Sequence, residues 1–382
     1  MFVKESRFTK KKIITTAIIA SVFASIAIFI VAINIWPISD DTLDIGDTSD
    51  TADTSDTADI SASSQPNYDF VIDPNVPVRN FVDKRYELVS LIFRLSEPGQ
   101  RFIAPLVTDY HRRIDETFAD FADHPAVTFV RQMNTRLSAP FDFAVSIYWN
   151  GYEFAFVDDT RWIVNPEISR WGSINFAREF LELLNDFYIV SSFGDFFYDN
   201  MDYYMEYSAI FANGVYRTFR VEWFEQFGLN PDYMRIIISP LIWDIGIAAW
   251  LEAENKNEKI VYAAVAAHKV RFDAFRTHYT IVHEFAHAIA NPIADRWFDT
   301  DLHFWTLARS SAASLRTHYP ISRTKAQEYV TRALTILYFQ DNTDRSLQAL
   351  FRGEHSMGFP NIAEVFDMLM RYLGRYEMIQ GD

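Results

Sequence analysis

Apolar positions along this chain recur with two different periods, and the change of period marks out its elements. From 81 to 95 and from 103 to 121 they fall three and four apart, which lines one face of a helix. Asp123-His124-Pro125 reads as a helix start, with proline in the first turn, where its missing N–H is no loss. Strands are predicted at 141–149 and 152–157, joined by Asn150-Gly151 as a type I′ turn. The stretch 173–227 returns to the helical period. Its density of Phe and Tyr reads as a large core rather than an open groove. Two β-type runs follow, at 235–241 and Lys259–Ala266, and Pro240 confines the first to a sheet edge or a strand end. A helix over 277–290 is predicted to stop near Pro292, with further helices at 303–318, 324–339 and 361–375. The sum is an α+β domain over 67–382: a small, mostly antiparallel sheet beside a larger helical body.

The N-terminal part follows different rules. Residues 13–36 are apolar and uncharged, long enough as a helix to span a hydrocarbon core of about 30 Å. Trp36 stands where an interfacial aromatic belongs, and the cations of 1–12 precede the run. The positive-inside rule predicts a cytoplasmic basic tail, a single signal-anchor helix and an exported remainder. A cleaved signal, at a weak Val22-Phe23-Ala24 pattern, would secrete the same remainder. From 37 to 66 the chain is an acidic Asp/Thr/Ser linker with no apolar face, expected to stay disordered as a spacer.

Composition narrows the chemistry. Hydrophobic residues make up 49% of the 382, so a sizeable core can form. The net charge is −16, and the main body stays acidic after the basic tail and the linker are set aside. Such a surface repels phosphate backbones, which argues against nucleic acid as a partner. With no cysteine there is no disulfide, no catalytic thiol and no zinc-thiolate site.

What remains is histidine and carboxylate chemistry, and His283-Glu284-Phe285-Ala286-His287 concentrates it. On a helix the two histidines lie one turn apart on one face, so both imidazoles can reach one metal ion. Glu284 projects beside that ion, where it can act as general base on a metal-activated water attacking a carbonyl. The bland alternative is two ordinary histidines on a helix. A catalytic zinc site needs a third protein ligand. Ala290 and Ile293 stand where a histidine-extended motif would need glycine and histidine. A glutamate on a later helix is the other solution, and Glu328 in the 324–339 helix fits best. Its rival role is a surface pair with Arg332 at i+4. Asp295, Asp299, Asp301, His303, Glu354 and His355 stay open as alternative ligands, His303 foremost. Tyr329, Tyr338, His318 and His355 lie late enough in the chain to stabilise an oxyanion, and nothing selects among them. His111, His124, His268 and His278 read as structural.

The run from Ile281 to Pro292 resembles the motif helix of an uncharacterised bacterial family of gluzincin-like metallopeptidases, DUF4932. Asp123-His124-Pro125-Ala126-Val127 and the Ile-Ser-Pro-Leu strand ahead of the motif resemble that family too. So does a Glu-x-x-x-Arg-Ala helix at Glu328, Arg332 and Ala333. The resemblance covers roughly 80–375, and only the motif helix is sharply specific. It implies a zincin-like fold and Zn2+ held by His283, His287 and Glu328, with Glu284 as catalytic base. The expected activity is peptide-bond hydrolysis outside the cell membrane, on a peptide or protein substrate. The alternative is a catalytically silent surface-binding or scaffold module of the same fold. A third option is a metal-dependent hydrolase of non-peptide amides.

Overall fold

The computed structural model describes residues 79–96, 108–133, 141–157, 173–215, 218–242, 246–252, 259–266, 274–310 and 322–375. The expected basic tail, membrane helix and acidic linker lie outside the described residues. Among those described, no helix is long and apolar enough to cross a membrane.

A four-stranded sheet organises the chain. Its strands are β1 (Arg79–Phe81), β4 (Met234–Ser239), β5 (Gly246–Glu252) and β6 (Lys259–Ala266), in the order β1-β4-β6-β5. A separate two-stranded ribbon pairs β2 (Ile147–Trp149) with β3 (Phe154–Phe156). Around the sheet lie α1 (Lys84–Leu95), α2 (Asp109–Phe118), α3 (Pro125–Gln132), α4 (Phe141–Val145), α5 (Ile174–Val190), α6 (Phe193–Asp199) and α7 (Met201–Val215). Then come α8 (Ala274–Thr300), α9 (Leu302–Arg309), α10 (Ser322–Asn342), α11 (Leu347–Ser356) and α12 (Ile362–Tyr372). The α+β class is as expected, with helix dominant.

The sheet is mixed rather than mostly antiparallel. β4 lies between parallel neighbours, in register Ile236↔Asn80 and Ile236↔Ala263. Only β5 runs antiparallel to β6, with Gly246 opposite Val265. β4 reads Met-Arg-Ile-Ile-Ile-Ser and is buried at every position, the pattern of a strand covered on both faces. Alternation sends its side chains to two cores. Ile236 and Ile238, with Val261, Ala263 and Val265, pack under α8 and α10. Ile237, Tyr262 and Ala264 pack on the opposite side with α1, α2 and α5. The aromatic-rich 187–227 stretch is core, as expected, with Phe187, Phe193, Phe211 and Phe224 fully buried.

Helix starts follow local chemistry. Asp83, Thr108, Ser173, Asp301 and Ser346 each accept a backbone N–H of the first turn. His124 caps α3 with Pro125 in the first turn, as the sequence predicts.

Four element expectations need correction. Residues 141–145 form the helix α4, not the start of a strand; Phe143, Ala144 and Val145 bury completely. The ribbon turns at Gly151-Tyr152, one residue later than expected. The Asn150 N–H bonds the Glu153 carbonyl, and its side-chain oxygen accepts from the N–H groups of Tyr152 and Glu153. Gly151 takes φ +101, which only glycine adopts freely. α8 runs through Pro292 to Thr300 because Ala290, Ala294 and Trp297 bury on both sides of the proline. Finally, β5 and α11 are elements the sequence pattern did not reveal.

Candidate metal centre

Two helices make the site. α8 packs more extensively on α10 than on any other element. The α8 stripe Ile281, Val282, Phe285 and Ala286 is buried in the core, which fixes the rotation of the helix. That rotation turns His283 and His287 toward α10, their rings 4.8 Å apart and nearly perpendicular. Glu328 of α10 meets both. Its Oε2 lies 3.4 Å from His283 Nε2, and its Oε1 lies 3.6 Å from His287 Nε2. One nitrogen or oxygen from each of the three residues falls within 4.8 Å of the others. Ligands about 2.1 Å from a tetrahedral zinc stand about 3.4 Å apart, so the donor set is spaced for a small divalent cation.

Donor chemistry agrees. Burial holds the His283 imidazole down at about 4 against the pull of Glu328, so near neutrality it carries a lone pair rather than a charge. Burial would raise Glu328, but the close approach of His283 first, then of His287 and Arg332, brings its carboxyl down to about 2. Glu328 Oε2 is buried and makes no hydrogen bond. His287 is oriented from behind. Its Nδ1 is 3.0 Å from Asn291 Oδ1 and 3.1 Å from Thr331 Oγ1. The Thr331 hydroxyl already donates to the Gln327 carbonyl, so it accepts from Nδ1–H. That tautomer leaves Nε2 as a lone-pair donor facing Glu328. His283 has no matching support: its Nδ1 is buried without a partner.

Glu284 is buried and reaches β5 at Gly246. Its carboxylate accepts the Ala248 backbone N–H. Burial first, then repulsion from Glu328, pushes this carboxyl well above the usual range, against the opposing pull of Arg332 and that N–H. The close approach is possible only because β5 opens on glycine. A Cβ on Gly246 would collide with the Glu284 carboxylate and the Thr280 methyl.

The rival ligands lie elsewhere. Asp295 and Asp299 pair with Arg323, at 3.3 and 2.6 Å, and Asp301 caps α9. His303 pairs with Glu364 at 2.7 Å, both exposed. Glu354 bonds Arg332, and His355 is exposed on α11. The Glu328–Arg332 approach also exists, at 3.5 Å, but inside the site rather than on the surface.

Of the oxyanion candidates, Tyr329 packs edge-on against Phe359, and Tyr338 accepts the Arg220 N–H and meets His278 Nε2 at 3.1 Å. His318 and His268 lie outside the described residues. His111, His124 and His278 bond Thr108, Asp186 and Thr218, consistent with the structural role expected of them.

Sequence reasoning missed Asn291, Thr331, Gly246 and the Ala248 N–H. Asn291 was findable, since it lies four residues after His287 on the ligand face. The other three act across elements and left no local signal. No family model, no curated protein and no solved structure matches this chain.

Proposed function

We propose that this chain is a zinc-dependent peptidase of the gluzincin-like type, tethered by its N-terminal apolar segment and acting outside the membrane. The observation that carries the reading is the convergence of two imidazoles, one helical turn apart, on a carboxylate from another helix. The residue next to the first imidazole is a buried carboxylate held against a strand. A divalent ion bound there supplies Lewis acidity, lowering the pKa of a bound water and polarising a carbonyl.

The protein's own residues supply the rest. His283, His287 and Glu328 hold and orient the ion, and Asn291 and Thr331 fix the His287 tautomer. Glu284 takes the proton of the attacking water and returns it to the leaving amine. Its raised proton affinity suits that two-way role. β5 is an edge strand among the described residues, so an extended peptide can add to it beside Glu284.

The test is elemental mass spectrometry on the full-length chain purified in detergent. About one zinc per chain is expected, and it should be lost in His283→Ala, His287→Ala and Glu328→Ala. Glu284→Gln should keep zinc and lose peptide hydrolysis by a factor on the order of 10² to 10⁴. Zinc retained in Glu328→Ala alone would move the third ligand. A wild-type chain that takes up no zinc would sink the peptidase and leave the binding-module reading in front.

A further inference from the structure

Arg332 sits beside the candidate ligand Glu328, yet it is bonded elsewhere. Its Nη1 donates to Glu354 Oε2 at 2.8 Å, while its Nε stays 3.5 Å from Glu328 Oε2. That Nε is buried and makes no hydrogen bond, and neither does the Glu328 oxygen it faces. A guanidinium and a carboxylate this close ordinarily close to a short, charge-assisted contact. Something holds them apart. The guanidinium lies over the Phe359 ring, 4.2 Å from its centroid, and Glu354 anchors its far end. Glu354 is fully buried on α11, and its other oxygen accepts the Tyr279 hydroxyl. Burial pushes its carboxyl well above the usual range, and the contact that favours its charged form is the Arg332 guanidinium at 2.8 Å. Tyr279 stacks nearly parallel to His283, one turn earlier on α8.

We propose that Glu354 is a positioning residue that holds the Arg332 guanidinium off Glu328, keeping that carboxylate free for the metal. This rests on the metal-site reading above and deepens it. Without the Glu354 charge, Glu328 is the carboxylate left within ion-pair distance of Arg332 among the described residues, and the guanidinium would swing onto it and compete with the cation. A neutral side chain at 332 would remove the competitor.

The role makes a prediction that simple packing does not. Glu354→Gln alone should weaken zinc binding about 10- to 100-fold, the range for losing a supporting partner of a ligand. The double variant Arg332→Met/Glu354→Gln should bind zinc within about threefold of wild type. It removes the competitor together with its restraint, and replacing a buried pair by neutral groups is often tolerated.

The experiment measures the zinc dissociation constant of the full-length chain by chelator competition. Cobalt(II) absorption of the same proteins reads ligand geometry, and thermal melts confirm folding. Recovery in the double variant supports the proposal. A double variant as weak as Glu354→Gln, or a Glu354→Gln chain that binds like wild type, overturns it while the metal site stands. If Glu354→Gln does not fold, Tyr279→Phe substitutes. It loosens Glu354 without changing charge and should weaken zinc severalfold, and unchanged affinity there overturns the proposal too. No zinc in wild type would sink the metal reading first and this inference with it.

Discussion

At the site, the smallest side chain is as constrained as the charged ones. Gly246 has an ordinary φ, so its requirement is for space rather than backbone freedom. Gly246→Ala should displace the Glu284 carboxylate while leaving the zinc ligands in place. We expect hydrolysis to fall by at least about tenfold with zinc content unchanged, since a misplaced base loses part of its factor of 10² to 10⁴. Loss of zinc together with activity would mean that the strand, not the base, had moved.

Protonation at two buried imidazoles gives a second residue-scale prediction. His278 and His283 are both lowered from 6.5 to about 4, chiefly by burial. His278 sits between Thr218 and Tyr338, in bonds that a neutral ring satisfies. In each case the unfolded chain takes up the proton first as pH falls. Stability from the neutral rings is therefore complete above about pH 6.5 and declines as pH drops toward 4. Every tenfold loss of proton affinity on folding corresponds to at most about 1.4 kcal/mol. Burial shifts Glu87, Glu284 and Glu354 the other way, so they stabilise the fold as pH falls through the upper part of this interval. The histidine is therefore read as a difference: between pH 6.5 and 4, metal-free His278→Gln should lose less melting temperature, or gain more, than metal-free wild type. Identical pH dependence in wild type and His278→Gln would overturn the assignment.

At the scale of elements, α8 shows tertiary packing overriding a local stop signal. Pro292 removes the hydrogen bond to the Ala288 carbonyl, and a proline inside a helix costs about 3 kcal/mol. The helix persists because its faces on either side of the proline are buried against the core. Pro292 itself is exposed. Pro292→Ala should therefore raise the melting temperature, by the several degrees that about 1 kcal/mol or more implies, without altering zinc content. A lower melting temperature would show that the ring supplies packing that outweighs the lost bond.

α10 teaches the complementary lesson. Its sequence marks a helix, but whether Glu328 is a surface charge or a ligand depends on α8 lying across it. Both geometries are present together, with Glu328 within 3.6 Å of two imidazoles and 3.5 Å of Arg332.

For the whole molecule, the centre joins α8 to α10, the most extensive helix contact, so a bound ion should stabilise the entire fold. Zinc at about 100 times its dissociation constant contributes about 2.7 kcal/mol. Chelation should lower the melting temperature by several degrees and zinc should restore it. His303→Ala, which removes an exposed pair with Glu364, should leave both the shift and the activity unchanged. A chelator-insensitive melt in a zinc-loaded chain would detach the site from the stability of the fold.

The class of fold, most helix positions and the three members of the cluster, His283, His287 and Glu328, were legible in the linear chain. Periodicity reports which face of a helix is buried, and a motif confined to one turn carries its own geometry. The helical pattern around Glu328 also raised it above its rivals. Relations between segments far apart in the chain were not legible. The parallel pairing of β4, the placement of β5 against Glu284 and the withdrawal of Arg332 toward Glu354 each depend on elements that meet only in three dimensions. The hairpin slipped by one residue because the Asn150 side chain, not a two-residue turn preference, satisfied the backbone. Local spacing is written along the chain, whereas distance, burial and the competition of one carboxylate for two partners exist only once the layers have packed.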